Sequence, residues 1–595
     1  MTALTEGRPE VASLPRAPVR SRIADIAVLL GFVLAAFLIY RPLWMDLAHG
    51  YLTSSVQDQN MWEWFFAVTA HSVVNLDNPL FTTFQNYPLG VNLMANTTML
   101  GIGIPLTPVT VLFGPTATWA LALTGGLAGT AAAWYWVLSR HIVPSRAGAA
   151  IGAAFCAFAP PVISHANAHP NFVVLFVLPF IVLRLIKLTR GERPVRNGIL
   201  LGLLVAYQVL LGEEPLLIAA TTLLVFAIAY AVSRPEEAVA MARPLGIGIG
   251  TGALVTLCAV AFPLWWQFMG PQSYTGLEHG LRGNDLAAFT SFATESFAGD
   301  GEAAAEFSMN RTEENAFFGW PLVFVLLGVT VALWRVVVAR ALAVAMIMLA
   351  WISTGVLLIV DGTATAIPGP WLLLFDLPLY ESVLESRFAL GAVVPAGILL
   401  AMATDRVLRL PVRKDWRYAA WSAWFSVLIL ALVPIAPTQL PVSERDPTPA
   451  LFTEGNWERY VDPGGSVVAV PLPDTGDARP LRWQIDAGFG FPLAEGYFVG
   501  PSTDGRGTYG AVRTQTSHLF EEVVEKRAVP VIDEAHKAEA VADLRYWNAD
   551  VVVLPVRGED TGEQVLLRET VSRLLDDPGH VEGDAWVWDV RALTR

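Results

Sequence analysis

Asp58, in the stretch SSVQDQNMWEW at 54 to 64, is a carboxylate suited by type to take a proton from an attacking hydroxyl. Further acids interrupt apolar sequence: Glu213 and Glu214 in GEEP, Glu313 and Glu314 in ENAFFGWP (314 to 321) and its approach, and Glu385 in ESRF. Arg282, Arg311 and Arg387 are cations that need not titrate, the property required to stabilise a phosphate leaving group as it gains charge. His165 and His169 in SHANAHPN are spaced i, i+4, which suits a metal if the segment is helical; Pro170 and the loop composition argue against that geometry. Gln59, Tyr274, Glu278, His279 and Asp285 add polar groups nearby in sequence. The chemistry that this set allows is displacement at a carbon bearing a phosphate by a hydroxyl, with Asp58 as base and Glu213 and Glu214 beside it. A divalent cation, magnesium or calcium, held by Asp58 with Glu213 or Glu214 is a further option, since carboxylates favour such ions.

Each residue also has a plainer reading. Asp58 lies in a run of Ser, Asp and Asn and would serve as a helix cap. Glu213 or Glu214 would start the following helix, where negative charge suits the dipole. The histidines would be polar residues at a membrane boundary, and Arg282 and Arg311 partners of Asp285 and Glu313. Arg387 would reach from a span end to headgroups.

What must position these groups follows from composition. The chain of 595 residues is 54% hydrophobic and 15% charged, with a mean hydropathy of +0.48. No soluble protein of this length hides so much apolar surface, so a polytopic membrane protein is expected. A net charge of -14 and the lack of a basic run exclude a nucleic-acid partner. The two cysteines, Cys156 and Cys258, sit in apolar runs and form neither a disulfide framework nor a thiolate metal site. The Arg-rich, Lys-poor, Ala-, Gly- and Pro-rich composition suggests a bacterial source.

Eleven apolar blocks are long enough to cross a bilayer: 24–46, 117–139, 147–163, 171–189, 197–212, 215–233, 245–268, 318–338, 341–360, 387–404 and 416–436. A twelfth, 97–114, carries Gly101, Gly103, Pro105 and Pro108, which break a helix. If it does not cross, every basic cluster falls on the cytoplasmic side, from Arg140 and Arg146 through Arg184 to Arg196 to the group Arg406 to Arg417. It is therefore expected to be re-entrant or interfacial. The resulting architecture has a cytoplasmic tail at 1–23 and an α-helical membrane domain at 24–436, with outer loops at 47–116 and 270–317. A soluble α/β domain follows at 437–595, also outside in a bacterial plasma membrane. Its strand-like runs begin near 466, 550 and 585, and its helical patterns cover 514–528, 532–547 and 562–577. On this topology Asp58, Gln59, His165, His169, Glu213, Glu214, Arg282, Arg311, Glu313, Glu385 and Arg387 all collect on the outer face. Ionisable groups gathered there suit an anionic lipid head, and the chemistry expected is glycosyl transfer from a polyprenyl-phosphate sugar.

The stretch TSSVQDQNMWEWFFAVTAHSVVNLDNPLFTTFQNYPLGVNLMANTT resembles the first outer loop of the GT-C membrane glycosyltransferases, in which an acidic motif follows the first span and amphipathic helices lie along the membrane surface. It is similar in particular to large actinobacterial proteins of that type with an Asp-Gln-like motif, an NPLFT-like turn and a YPxGVNLM-like segment. GEEP, ENAFFGWP, ESRF and, in the tail, RWQIDAGFGFPLAEGYFVGPS at 482 to 502 extend the likeness; Gln57, where many relatives carry Gly, and SHANAHPN depart from it. The resemblance implies a polyprenyl-phosphate sugar donor, a cell-envelope glycan or glycolipid acceptor, an extracytoplasmic site and a role in cell-wall biogenesis. Two other functions fit an outer-face cluster: a flippase or transporter of lipid-linked saccharides, and a scaffold for envelope assembly.

Overall fold

The computed structural model describes residues 22–277, 282–556 and 562–595; Glu278, His279 and residues 1–21 of the basic tail lie outside the described residues. Among the described residues, five helices are long and apolar enough to cross a membrane: Arg22–Ile39, Pro115–Ile142, Glu213–Ser233, Pro235–Met269 and Glu385–Leu408. Arg146–Phe158, Trp320–Leu333 and Val337–Ile352 are shorter apolar helices. The chain is a multi-pass membrane protein, with fewer full-length helices than apolar blocks. Proline explains part of the difference. The block at 147–163 splits at Ala159, because Pro160 and Pro161 drive the residue before them out of the helix. The block at 171–189 becomes helical only from Leu178. The Gly- and Pro-rich stretch at 97–114 folds as two short helices, Leu100–Gly103 and Thr107–Phe113, neither long enough to span.

Small residues let the helices approach closely where their backbones cross. A Cβ on Gly198 or Gly202 of helix Pro194–Val209 would lie 2.5 Å from the Gly248 carbonyl oxygen or 2.4 Å from that of Gly252, on helix Pro235–Met269. Gly198 with Gly202 and Gly248 with Gly252 are each four apart, the spacing that puts both on one helix face.

The helix that carries Asp58, Val56–Asn75, is not a surface amphipath. Trp62, Trp64, Phe65 and Phe66 are all buried, on several faces, because the membrane helices pack on one side and the carboxyl-terminal region on the other. Trp64 Nε1 donates to Gln484 Oε1 at 2.6 Å, across that second contact.

The carboxyl-terminal region contains a four-stranded sheet in the order His580–Glu582, Ala585–Asp589, Ala549–Pro555, Ser466–Ala469. Its one parallel pairing joins Ala549–Pro555 to Ser466–Ala469. Ala549–Pro555 is an interior strand and is buried along nearly its whole length, as its run of valines requires. Helices Gln515–Lys526, Glu534–Tyr546 and Gly562–Leu575 cover the sheet, and Val468, Phe520, Leu544, Val552 and Val571 fill the space between. The first two begin in capping boxes, at Thr514 with Ser517 and at Asp533 with His536.

This region is woven into the loops of the membrane domain. Val442–Glu444 pairs antiparallel with Gly50–Leu52, directly before the Asp58 helix. Arg506–Tyr509 pairs antiparallel with Val499–Pro501 and parallel with Thr275–Leu277, so one three-stranded sheet draws on both regions. Beneath them, Glu63 is fully buried and accepts from Arg445 at 2.9 and 2.8 Å, Arg482 at 3.0 Å, Gln59 at 2.7 Å and Thr116 at 3.0 Å. Burial alone would raise this carboxyl, but the two guanidiniums outweigh it and hold it below its ordinary range. A carboxylate with five donors cross-links the loop helix to the carboxyl-terminal region.

Candidate active site

Asp58 stands in the first turn of its helix, two positions past the start, where the helix dipole favours negative charge. The cap position is held by Ser55, whose hydroxyl donates instead to the carbonyl of Asn167 and so ties the helix start to the 164–170 loop. Asp58 therefore does not cap; its Oδ1 accepts a hydrogen bond from Tyr497 Oη at 2.7 Å.

The 164–170 loop is set by prolines. Pro160 and Pro161 open the short helix Pro160–His165, and Pro170 opens a 3-10 turn. Between them the His169 N–H still donates to the His165 carbonyl at 2.7 Å. One helical turn thus survives where Pro170 argued against it, and it brings the two Nδ1 atoms to 2.9 Å. His165 Nε2 meets Asn315 Oδ1 at 2.8 Å, and its ring stacks on Phe172. Both histidines are pushed down to about 4 by burial, against the pull of Glu313, so they are neutral at neutral pH.

Glu313 is the junction of the cluster. Arg387 Nε donates to its two oxygens at 3.1 and 3.2 Å, and Arg387 NH2 donates to it as well. Asn315 Nδ2 donates to Glu313 Oε2 at 2.9 Å and reaches Ser386 Oγ at 3.1 Å. Burial works to raise the Glu313 carboxyl, but the Arg387 guanidinium prevails and holds it far below the ordinary carboxylate range. The remaining donor of Arg387, NH1, binds Glu214 Oε2 at 2.7 Å, and the guanidinium lies 5.1 Å from the Phe172 ring. Arg387 is thus clasped by two carboxylates, with both edges of its fork in use.

The structure accordingly brings Glu214, Glu313, Arg387, His165 and His169 into one contact network, with Asp58 close by. Other expected residues lie elsewhere. Gln59 is fully buried and spends its amide on Leu52 N, Gly50 O and Glu63, away from the network. Glu213 accepts from Gln267 Nε2 at 2.8 Å. Glu385 is buried against Gly355 and takes a hydrogen bond from the Arg282 backbone, while Arg282 itself is exposed. Arg311 contributes its carbonyl to Ser164 at 2.8 Å, but its guanidinium lies beside Gly301, within electrostatic reach of Glu295 and Glu314.

Two residues that the sequence reading did not single out join the site from the carboxyl-terminal region. Tyr497 touches Asp58, and Tyr509, 44% exposed, lies within electrostatic reach of Arg387, Glu214, Glu313 and Asp58. The only sequence signal was the resemblance of the stretch at 482 to 502, which contains Tyr497. Asn315 and Ser386 were likewise unmarked, being neutral neighbours of marked charges.

His165, His169 and Glu313 are the one group of three such side chains, among the described residues, whose ligand atoms lie within 4.8 Å of one another. Two imidazole nitrogens and one carboxylate oxygen fit a zinc-like ion better than magnesium or calcium, which prefer all-oxygen sites. Asp58, Glu213 and Glu214 form no such group.

No family model and no curated protein matches the chain by sequence. By structure it is similar to the archaeal oligosaccharyltransferase AglB from Archaeoglobus fulgidus in complex with an inhibitory peptide and a dolichol-phosphate. That match has a TM-score of 0.50 and 11% identity, over 92% of this chain and 71% of that one. The same enzyme in complex with Zn and sulfate matches with a TM-score of 0.50 and 11% identity, over 93% and 70% of the two chains. The match to ArnT from Cupriavidus metallidurans bound to undecaprenyl phosphate covers 90% of this chain and 94% of that one at 11% identity, with a TM-score of 0.39. The bundle of membrane helices, the buried loop helix carrying Asp58 and the α/β region docked on it share their overall fold with that archaeal oligosaccharyltransferase.

Proposed function

We propose that the protein is a membrane glycosyltransferase that moves a sugar from a polyprenyl-phosphate donor to a hydroxyl of a cell-envelope glycan or glycolipid on the outer face of a bacterial membrane, with Asp58 as general base. The observation that carries this reading is the convergence of Asp58 with the Glu214–Arg387–Glu313 network. Three stretches of chain more than 70 residues apart supply that network's two ion pairs. In the GT-C fold such a junction of loops is where a lipid head and an acceptor would meet.

The acceptor oxygen attacks the anomeric carbon and passes its proton to Asp58. The bond from that carbon to the phosphate oxygen breaks, and the electron pair leaves with the lipid phosphate. Arg387 is the cation best placed to receive that charge. Its fork is already occupied, so the phosphate replaces Glu214 at NH1 while Glu313 keeps the guanidinium in register. Arg387 is paired before and after this exchange, and the displaced Glu214 carboxyl takes up a proton so that no bare charge is left buried. A cation held by His165, His169 and Glu313 would add positive charge beside the phosphate. Exclusion of water by the buried loop helix and alignment of both substrates would contribute as much as the base itself.

Purified protein incubated with polyprenyl-phosphate sugars and envelope glycan acceptors tests the reading, wild type against Asp58→Asn. Transfer by the wild type and loss with Asp58→Asn is the expected result. Transfer that survives the substitution removes Asp58 from its role, and lipid movement across vesicles without a new glycosidic bond would make the protein a flippase.

A further inference from the structure

We propose that Tyr497 is the positioning residue for Asp58, so that the base is complete only when the carboxyl-terminal region is docked. This rests on Asp58 being the base. The geometry begins with a bond between residues 439 positions apart, Tyr497 Oη to Asp58 Oδ1 at 2.7 Å, made by the carboxyl-terminal region to the first turn of a membrane-domain loop helix.

Several contacts around Tyr497 hold it from the membrane-domain side. Its neighbour Gly496 lies against Gln85, whose Oε1 would be 1.9 Å from a Cβ at that position, so a side chain there would have to displace Gln85. Asn96, from the same outer loop as Asp58, grips Val499 on both sides of its backbone: Val499 N–H donates to Asn96 Oδ1 at 2.8 Å, and Asn96 Nδ2 donates to the Val499 carbonyl at 2.9 Å. The backbone N–H of Tyr87 donates to the Leu493 carbonyl at 3.1 Å, and Leu493 N–H donates to the Phe84 carbonyl at 2.9 Å. The strand pair Val499–Pro501 and Arg506–Tyr509 is then locked to Thr275–Leu277. Residues 493 to 509 are therefore fixed by two separate loops of the membrane domain, and the phenol is the group that this scaffold delivers to Asp58.

The consequence for chemistry is specific. A carboxylate in the first turn of a helix turns freely about its side-chain torsions unless something fixes it. A phenolic O–H on Oδ1 fixes the carboxyl plane and leaves Oδ2 to accept the proton of the incoming hydroxyl. Loss of a hydrogen bond to a charged group, when that bond orients the reacting atom, lowers kcat by about 10- to 100-fold.

Two measurements on the full-length protein test this. The first needs no substrate: 3-fluorotyrosine is placed at 497 and its fluorine resonance is followed in the otherwise wild-type protein, in Asp58→Asn, and in Asp77→Asn just beyond the far end of that helix. A resonance that moves with Asp58→Asn and stays with Asp77→Asn is expected; one that ignores Asp58→Asn overturns the contact. The second is Tyr497→Phe, which keeps the ring and removes the hydroxyl. In the transfer assay above, kcat is expected to fall about 10- to 100-fold with KM for the polyprenyl-phosphate sugar unchanged. A wild-type kcat, or a rise in KM with kcat intact, overturns the positioning role. Failure of the underlying reading looks different: there, Asp58→Asn itself retains transfer.

Discussion

Neutralising Glu63 should release the carboxyl-terminal region from the loop helix. Glu63 is fully buried, and the Arg445 side chain it binds is 5% exposed. Glu63→Gln keeps the shape but leaves Arg445 a buried cation without a counter-charge, a change that costs about 3 to 5 kcal/mol when one partner of a buried pair is removed. Opening of the docked region would become more frequent by a factor between about a hundred and a few thousand. Amide hydrogen exchange reads this directly at the strand pair Gly50–Leu52 with Val442–Glu444, which must separate when the region undocks. The same protection should survive much better in the double variant Glu63→Met, Arg445→Met, because two apolar side chains of similar volume leave no orphaned charge. Arg482, at 20% exposure, can turn to water or to Asp486. Single and double variants whose effects add to within about 0.5 kcal/mol would refute the reasoning, since additivity means the two groups do not act through one another. Acidity offers an independent test. Glu63 is held below its ordinary value of 4.5, so its contribution is fully present above that pH and is lost as the pH falls toward the folded-state value. The difference in exchange between the wild type and Glu63→Gln at this strand pair should therefore be constant from neutral pH down to about 4.5 and shrink only below it.

Further outcomes are expected at the site. Arg387→Lys keeps one charge but cannot span Glu313 and Glu214 together, so KM for a polyprenyl-phosphate sugar should rise and kcat fall, each at least about tenfold, in the transfer assay. His165 and His169 are buried neutral with values near 4, so the unfolded chain binds more protons than the folded one between about 6.5 and 4. Thermal stability in detergent should therefore decline through that window as the pH falls and level off beneath it. Cobalt(II) added to the metal-free protein should give a visible absorption band that His165→Ala or His169→Ala abolishes, if the N, N, O set holds an ion. Gly202→Val should prevent the crossing of Pro194–Val209 with Pro235–Met269, seen as a large loss of folded yield, because its Cβ has no room beside the Gly252 carbonyl.

Charge in apolar surroundings is a signal that sequence carries well. Glu214 stands out because it interrupts apolar sequence and Arg387 because it opens an apolar run, and Glu313 and the histidines because the same topology places them beside those runs. The α/β elements near 466, 550 and 585 were equally legible, since alternating and continuous apolar runs of strand length have few other uses. Direction was not legible. Nothing in QDQN distinguishes Asp58, which faces Tyr497, from Gln59, one residue on and so about 100° around the helix, which faces Glu63. Arg282 and Arg311 obey the same charge logic as Arg387, yet their side chains lie on exposed loops, and only packing decides which cation is enclosed. Helix lengths were overestimated where proline interrupts apolar sequence, because hydropathy averages over a break that backbone sterics enforce. Tyr497 left the least trace, as a neutral aromatic residue in a soluble stretch whose partner lies hundreds of positions away.

That separation also sets a schedule. Asp58 emerges early in synthesis, and Tyr497 follows 439 residues later. At roughly 5 to 20 residues per second, the interval is about 20 to 90 s. For that time the first loop sits in the membrane with its carboxylate unpartnered, and the cross-link through Glu63 waits for Arg445 and Arg482. A ribosome that stalls anywhere in the membrane helices would thus leave a product that holds Asp58 but lacks Tyr497, Arg445 and Arg482.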